Sequence, residues 1–175
     1  MKKICLWVEL LIIVLFFTAC VDPQNVGFVW DSIKVIDSTF DEIVTAIQAQ
    51  DSTQIAEMFA PSIKSEEELL QDASVLISYI RGDIVSFSSA EERGVGTYTE
   101  KDDGKRKEEI EASFCLETTE TSYYVAMKEC VINDFDDRGV GIIALHIIET
   151  CNWTEDYVYR GDGNWTPGIV IDIPS

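Results

Sequence analysis

The chain has 175 residues, 46% of them hydrophobic and 26% charged, with a formal net charge of -19 at pH 7. These are globular proportions for one domain rather than two. Acidity of this order repels nucleic acid and anionic headgroups, so no nucleic-acid partner is expected, and its plainest use is solubility.

Lys2-Lys3, an apolar run from Leu10 to Phe17 and the small residues Thr18-Ala19 before Cys20 have the layout of a secretory signal, with cysteine as the first mature residue. The arrangement resembles a bacterial lipobox. By that resemblance the leader, residues 1–19, is cut after Ala19, and Cys20 carries the acyl chains. Residues 20–27 form a short tether, and residues 28–175 form a single domain at the outer face of the cytoplasmic membrane. A retained membrane helix is the rival reading, but the run is shorter than the about 20 apolar residues that span a bilayer. Two acyl chains, by contrast, hold a protein stably. Removing Lys2, Lys3 and Glu9 with the leader takes the charge from -19 to -20.

Ile33, Ile36, Phe40, Ile43 and Ile47 then recur at spacings of three and four, which predicts an amphipathic helix. Asp51-Ser52-Thr53 is a capping cluster for a short helix carrying Ile55, Met58 and Phe59, stopped by Pro61. Ser65-Glu66-Glu67-Glu68 reads as a capping box. The helix behind it has Leu69, Leu70, Ala73, Leu76, Ile77 and Ile80 as its apolar face and Gly82 as its C-terminal glycine.

The second half is strand-like, an α+β order. Ile84–Ser88 is one strand, Asp102-Asp103-Gly104 a turn, and Glu109–Thr119 a strand with Ile110, Ala112, Phe114 and Leu116 on one face. A two-residue turn at Glu120-Thr121 sets Ile110 against Val131, Phe114 against Met127, Leu116 against Val125 and Ala112 against Glu129. The same register sets Cys115 opposite Ala126 and Cys130 opposite Glu111, which disfavours a disulfide between these two cysteines. Val140–Glu149 and Trp165–Ile173, the latter after a turn at residues 161–164, complete an antiparallel set. Cys115, Cys130 and Cys151 remain beyond the lipobox, an odd number, and read as small buried hydrophobes rather than a disulfide framework. With one histidine and no Cys-x-x-Cys, neither a metal nor another cofactor is expected.

Phe40-Asp41-Glu42-Ile43, Met58-Phe59-Ala60-Pro61 and Gly82-Asp83-Ile84-Val85-Ser86 carry a family resemblance. So do Glu117-Thr118-Thr119, Tyr123-Tyr124, Lys128-Glu129-Cys130, Val140-Gly141 and Trp165-Thr166-Pro167-Gly168-Ile169. Through them almost the whole mature chain resembles bacterial lipoproteins of the domain of unknown function 5104 family, with a nuclear-transport-factor-2-like, or cystatin-like, cone fold. The resemblance implies three helices packed on a strongly curved antiparallel sheet and an extracytoplasmic habit, but no activity. Relatives of that fold include enzymes, ligand binders, dimerisation modules and toxin-immunity proteins, so fold alone does not choose.

Three residues are candidates for chemistry. Glu129 shares the apolar face of its strand, where burial would raise its pKa and suit it to general acid or base work; the rival reading is a carboxylate at the sheet rim. His146 sits in a strand apolar on both faces, and its facing is open by one residue of register; a hydrogen-bonded structural role is its default. Tyr124 alternates with Tyr123 and could line a pocket or pack in the core. Arg81-Gly82-Asp83 and Arg160-Gly161-Asp162 invite an adhesion reading, but turn chemistry accounts for their glycines. The sequons at Asn152 and Asn164 are read as idle in a bacterial chain.

There is no Gly-rich phosphate loop, no Gly-x-Ser-x-Gly and no His-Glu-x-x-His. The leading expectation is therefore a membrane-tethered, non-catalytic binding or interaction domain. Its partners would be the membrane through Cys20, a second copy through a face bearing Ser113, Glu117, Tyr124 and Lys128, or a basic protein such as a toxin met by an immunity-type inhibitor. The alternative is a small-molecule isomerase, dehydratase or hydrolase using Glu129 with His146 or a tyrosine.

Overall fold

The computed structural model describes residues 23–153 and 165–172. The chain divides into two compact units, residues 1–31 and 32–175. The described part of the first is helical from Pro23. The lipobox, the second Arg-Gly-Asp triplet, the turn at residues 161–164 and the sequon at Asn164 lie outside the described residues.

Helix α1 (Pro23–Ala49) opens well before the stripe that predicts it. Proline suits a first helical position, where its missing N–H breaks no bond. Ile36, Phe40, Ile43 and Ile47 are buried as the spacing requires, and Ile33 is half-buried. The helix ends without glycine: Gln50 takes φ 59°, and the Asp51 and Gln50 amides return to the Ala46 and Ile47 carbonyls at 2.9 and 3.0 Å. This is a Schellman closure. Asp51 then caps α2 (Ser52–Glu57), its Oδ1 accepting from the Gln54 amide at 3.0 Å. Met58 and Phe59 fall beyond α2, where Phe59 bridges to Ile142.

Both halves of the Ser65–Glu68 capping box form at the head of α3 (Glu66–Tyr79). Leu69, Ala73, Leu76 and Ile77 are buried, whereas Leu70, expected on the apolar face, is 38% exposed. Gly82 is not the helix cap. The helix closes at Ile80 in an extended conformation, and Gly82, at φ +77°, passes so near the turn at Thr119-Glu120 that a Cβ would lie 2.6 Å from Thr119 Oγ1. Glycine is needed there for both reasons.

Among the described residues, six strands form one curved, open, mixed sheet: β1 (Ile84–Phe87), β2 (Val95–Asp102), β3 (Lys105–Thr118), β4 (Ser122–Asn133), β5 (Gly141–Glu149) and β6 (Gly168–Ile171). The order is β1-β3-β4-β5-β6, with β2 also paired to β3 beyond the short helix α4 (Ala90–Arg93). Asp103-Gly104 makes the β2–β3 hairpin with both φ values positive, 45° and 78°, a type I′ turn. Strand β2 is exposed along nearly its whole length, so it carries no apolar alternation by which to foresee it.

Two expectations about the sheet are corrected. The β3–β4 register pairs Leu116 with Tyr123, Phe114 with Val125, Ala112 with Met127 and Ile110 with Glu129, two residues away from the expected one. Thr118 decides it. Its Oγ1 donates to the Thr121 carbonyl at 2.8 Å and accepts from the Glu120 and Thr121 amides at 3.3 and 3.0 Å, closing the turn over Thr119-Glu120. A slip of two leaves every side chain on its expected face, so hydrophobic pattern cannot see it. The sheet is also not wholly antiparallel, because β6 runs parallel to β5. The 18 residues between Glu149 and Gly168 exceed the dozen or so that a parallel crossover needs.

The core lies between the helices and one face of the sheet. Phe40 stacks on Phe114 with ring centroids 3.9 Å apart and planes 10° from parallel, and Phe87 meets Phe40 edge-on at 5.3 Å. Tyr123, fully buried, accepts from the Arg81 amide at 2.8 Å and donates to the Tyr79 carbonyl at 3.2 Å. Of the three cysteines beyond the lipobox, Cys130 is buried, Cys115 half-buried and Cys151 exposed; all are free thiols, so the reading of all three as buried hydrophobes holds only for Cys130.

Phe114→Ala is expected to cost about 3–5 kcal/mol, as large-to-small changes in packed cores do. Thr118→Val should cost about 1–2 kcal/mol through the turn amides it leaves without an acceptor. Urea denaturation of both variants, with unchanged slopes, checks the two values.

Candidate functional site

The alternation of β3, β4 and β5 sorts the candidate residues onto two faces. Glu129 pairs with Ile110 on one side and Ile142 on the other, both buried in the core, so its side chain lies on the helix-facing side. His146 pairs with Ala126, which pairs with Ser113, placing it on the outer face with Tyr124. A bulge at Lys128/Glu129, where the partner steps from Ala144 to Ile142, settles the register that the sequence leaves open. The sheet therefore separates Glu129 from both His146 and Tyr124. No acid–base pair forms between them.

Glu129 has one carboxylate oxygen, Oε2, buried without a hydrogen-bond partner among the described residues. Burial raises its pKa, a hydrogen bond with Thr39 of α1 opposes the rise, and the nearby Glu42 adds to it. The group is a carboxyl biased towards its protonated form at the margin of the core, since a solvent-poor site penalises the charged state.

The outer face is built from alternate residues of β3 and β4. Spacing of two along β3 brings Lys107, Glu109 and Glu111 to the same side, and β4 supplies Lys128 across from Glu111. Glu109, only 6% exposed, receives Lys107 at 2.5 Å and Lys128 at 2.7 Å, and Lys128 also reaches Glu111 at 3.1 Å. Burial pushes the Glu109 pKa up, but hydrogen bonds from the two lysines outweigh it and the carboxyl lies below its ordinary value. For Lys128, burial works downwards, and Glu109 and Glu111 overcome it to raise the ammonium.

Further along the face, Ser113 and Tyr124 share a hydroxyl hydrogen bond of 2.6 Å. The Tyr124 ring lies 6.0 Å from Trp153. His146, 1% exposed, meets the Thr166 carbonyl through Nε2 at 3.0 Å and stands edge-on to the Trp165 ring at 5.6 Å and 77°. A carbonyl only accepts, so Nε2 carries the proton.

Two clefts flank Trp165. One, of about 310 Å³, is lined by Arg93, Gly96, Glu111, Ser113 and Tyr124 together with the indole. The other, of about 290 Å³, is lined by Lys107, Glu109, Lys128, Asn133 and Asp136, again with the indole. A larger cleft of about 650 Å³ lies elsewhere, between Phe59, Lys64, Leu69 and Arg138. Lys64 is engaged by Asp72 at 2.7 Å. The Arg81-Gly82-Asp83 triplet is occupied within the fold, its Arg81 guanidinium on Glu149 at 2.6 Å and its Asp83 amide on Thr119 Oγ1 at 3.0 Å.

Sequence reasoning places Glu129 inward, and its parity is right although its expected neighbour Ala112 is replaced by Ile110. Of the four residues expected to share a docking face, Ser113, Tyr124 and Lys128 lie on the outer face with Glu117, which is exposed. Reasoning from the sequence missed Glu109 and Trp165. The alternation Lys107, Glu109, Glu111 facing Lys128 is a signal for the first, whereas nothing local shows that Trp165 meets His146 across a parallel strand pair.

Helices packed on one face of a curved mixed sheet, with polar clefts on the other, define an α+β domain whose two faces carry different chemistry. Comparison with family profiles matches residues 42–150, and the chain belongs to the family described as Domain of unknown function (DUF5104). No curated protein matches it.

The two carboxyls respond to pH in opposite senses. Glu129 holds its proton more tightly folded than unfolded, so its contribution to stability is full below about pH 4.5 and is lost as pH rises through its folded value. Glu109 contributes fully above its ordinary value of 4.5, and that contribution is lost as pH falls through its lowered one. Glu129→Gln is expected to melt above the wild type at pH 8, with the gap closing towards pH 4.5. Glu109→Gln should melt below it at pH 8, with that gap narrowing in acid. Thermal melts from pH 3.5 to 8 check both.

Proposed function

We propose that this chain is a lipid-anchored, extracytoplasmic binding domain of the nuclear-transport-factor-2-like cone type, and that its binding surface is the outer face of the sheet. The observation that carries this reading is the pairing of charges across that face. Lys107, Glu109, Lys128 and Glu111 are locked to one another beside aromatic side chains in fixed orientations, around two clefts. Such an arrangement holds its polar groups ready for a partner and offers no activated nucleophile. The anchor rests on Cys20 and the segment before it.

Acid–base catalysis by Glu129 is the second reading, favoured by its raised pKa. It would have to use Thr39 in place of His146 or Tyr124, and a single carboxyl meets little of what an active site requires.

A photo-crosslinking residue at Glu117, on the outer face, is expected to trap a partner in intact cells, whereas one at Asp41 on the exposed side of α1 is not. Equal yields from both positions, or none from Glu117, would remove the outer face as the binding surface. For the anchor, palmitate labelling should be lost in Cys20→Ser; labelling that persists would overturn it.

A further inference from the structure

We propose that the paired clefts on either side of Trp165 bind a neutral oligosaccharide, with the indole as the platform for a sugar ring. The proposal rests on the reading of the chain as a binding domain and names the class of its ligand. Trp165 lines both clefts, and the two are taken together as one trough with this half-buried aromatic residue between them. Each has about 300 Å³ or slightly more or less, at the lower end of the volumes of small-molecule sites.

The charge of the trough selects the ligand. Arg93, Lys107 and Lys128 are balanced by Glu109, Glu111 and Asp136, so the lining is formally neutral in a chain that carries -19. The lysines spend their charge on Glu109 and Glu111, so neither lysine is left to hold a phosphate or carboxylate, and the lining as a whole offers no net charge to a ligand. What remains is a dense set of donors and acceptors: carboxylate lone pairs, the Ser113–Tyr124 hydroxyl pair and the Asn133 amide. Sugar hydroxyls, each both donor and acceptor, match such a set, and the C–H face of a pyranose matches the flat indole. An extended peptide is a poorer fit. The floor of the trough is β3 and β4, whose backbone groups are already engaged in the sheet, and a peptide would need an open strand edge or apolar pockets.

His146 then acquires a role. Its Nε2–H is fixed on the Thr166 carbonyl, and its ring stands edge-on to the adjacent Trp165. It is a positioning residue that sets the angle of the platform.

The experiment uses the full chain in a non-glycosidic detergent, with tryptophan emission followed against chitotetraose, cellotetraose and maltotetraose. At least one should give a saturable change with Kd below about 1 mM. Trp165→Ala is expected to weaken it at least 10-fold, Trp165→Phe to keep part of it, and Val75→Ala, on the exposed side of α3, to leave it unchanged. His146→Ala should raise Kd and shift the emission of the unliganded chain, and His146→Gln, which keeps a donor for Thr166, should recover part of both. No saturable change with any of the three sugars, or equal affinity in a folded Trp165→Ala and Trp165→Phe, would overturn the proposal. If sugars fail while crosslinking from Glu117 persists, the sugar assignment falls and the binding domain stands; if both fail, both fall.

Discussion

The stack of Phe40 on Phe114 is the contact on which the rest of the fold is hung. The rings lie nearly parallel with centroids 3.9 Å apart, which fixes α1 against β3, the strand that pairs with β1, β2 and β4 at once. Once β3 has one face turned to α1, the period of two dictates that its alternate residues form a second surface. The charged network of the outer face and the closed core are therefore consequences of one orientation. Burial of two such side chains is worth several kcal/mol, whereas the ion pairs on the far side are weak evidence for net stability because desolvation offsets them. Packing sets the geometry, and the charges use it.

Much of this was legible in the chain itself, but only to the extent that local chemistry decides structure. The Ser65–Glu68 box and the Asp51 cap name helix starts because the bonds involved span three residues. The alternation along β3 gives facing, yet facing is blind to a slip of two, and it took the Thr118 hydroxyl to choose the turn. Gly82 shows the opposite failure. A helix-end glycine was the natural local reading, and the real cause is a neighbour 37 positions away, Thr119, whose hydroxyl leaves no room for a Cβ. The direction of β6 is non-local in the same way, since Ile169 and Ile171, two positions apart, would face the core in either sense.

For the site, parity correctly turned Glu129 inward and left His146 undecided, because a bulge lies between the two. A bulge has no hydrophobic signature. The separation of the two residues by the sheet therefore had to come from the structure, and with it the shift of interest to Trp165, a residue that looked like the start of a strand. Family membership fits this division: the matched stretch, residues 42–150, holds α1 from Glu42, most of the core and the ion-pair rows, while Phe40 and Trp165 lie outside it.

The parallel strand β6 also orders events in time. The hairpins β2–β3 and β3–β4 close over two-residue turns, so their contacts are local and form early, whereas β6 must close an 18-residue connection before its first bond to β5. Trp165 stands just ahead of β6 and is held by His146, a residue of β5. By the same argument the trough on the outer face is completed after the two hairpins that form its floor.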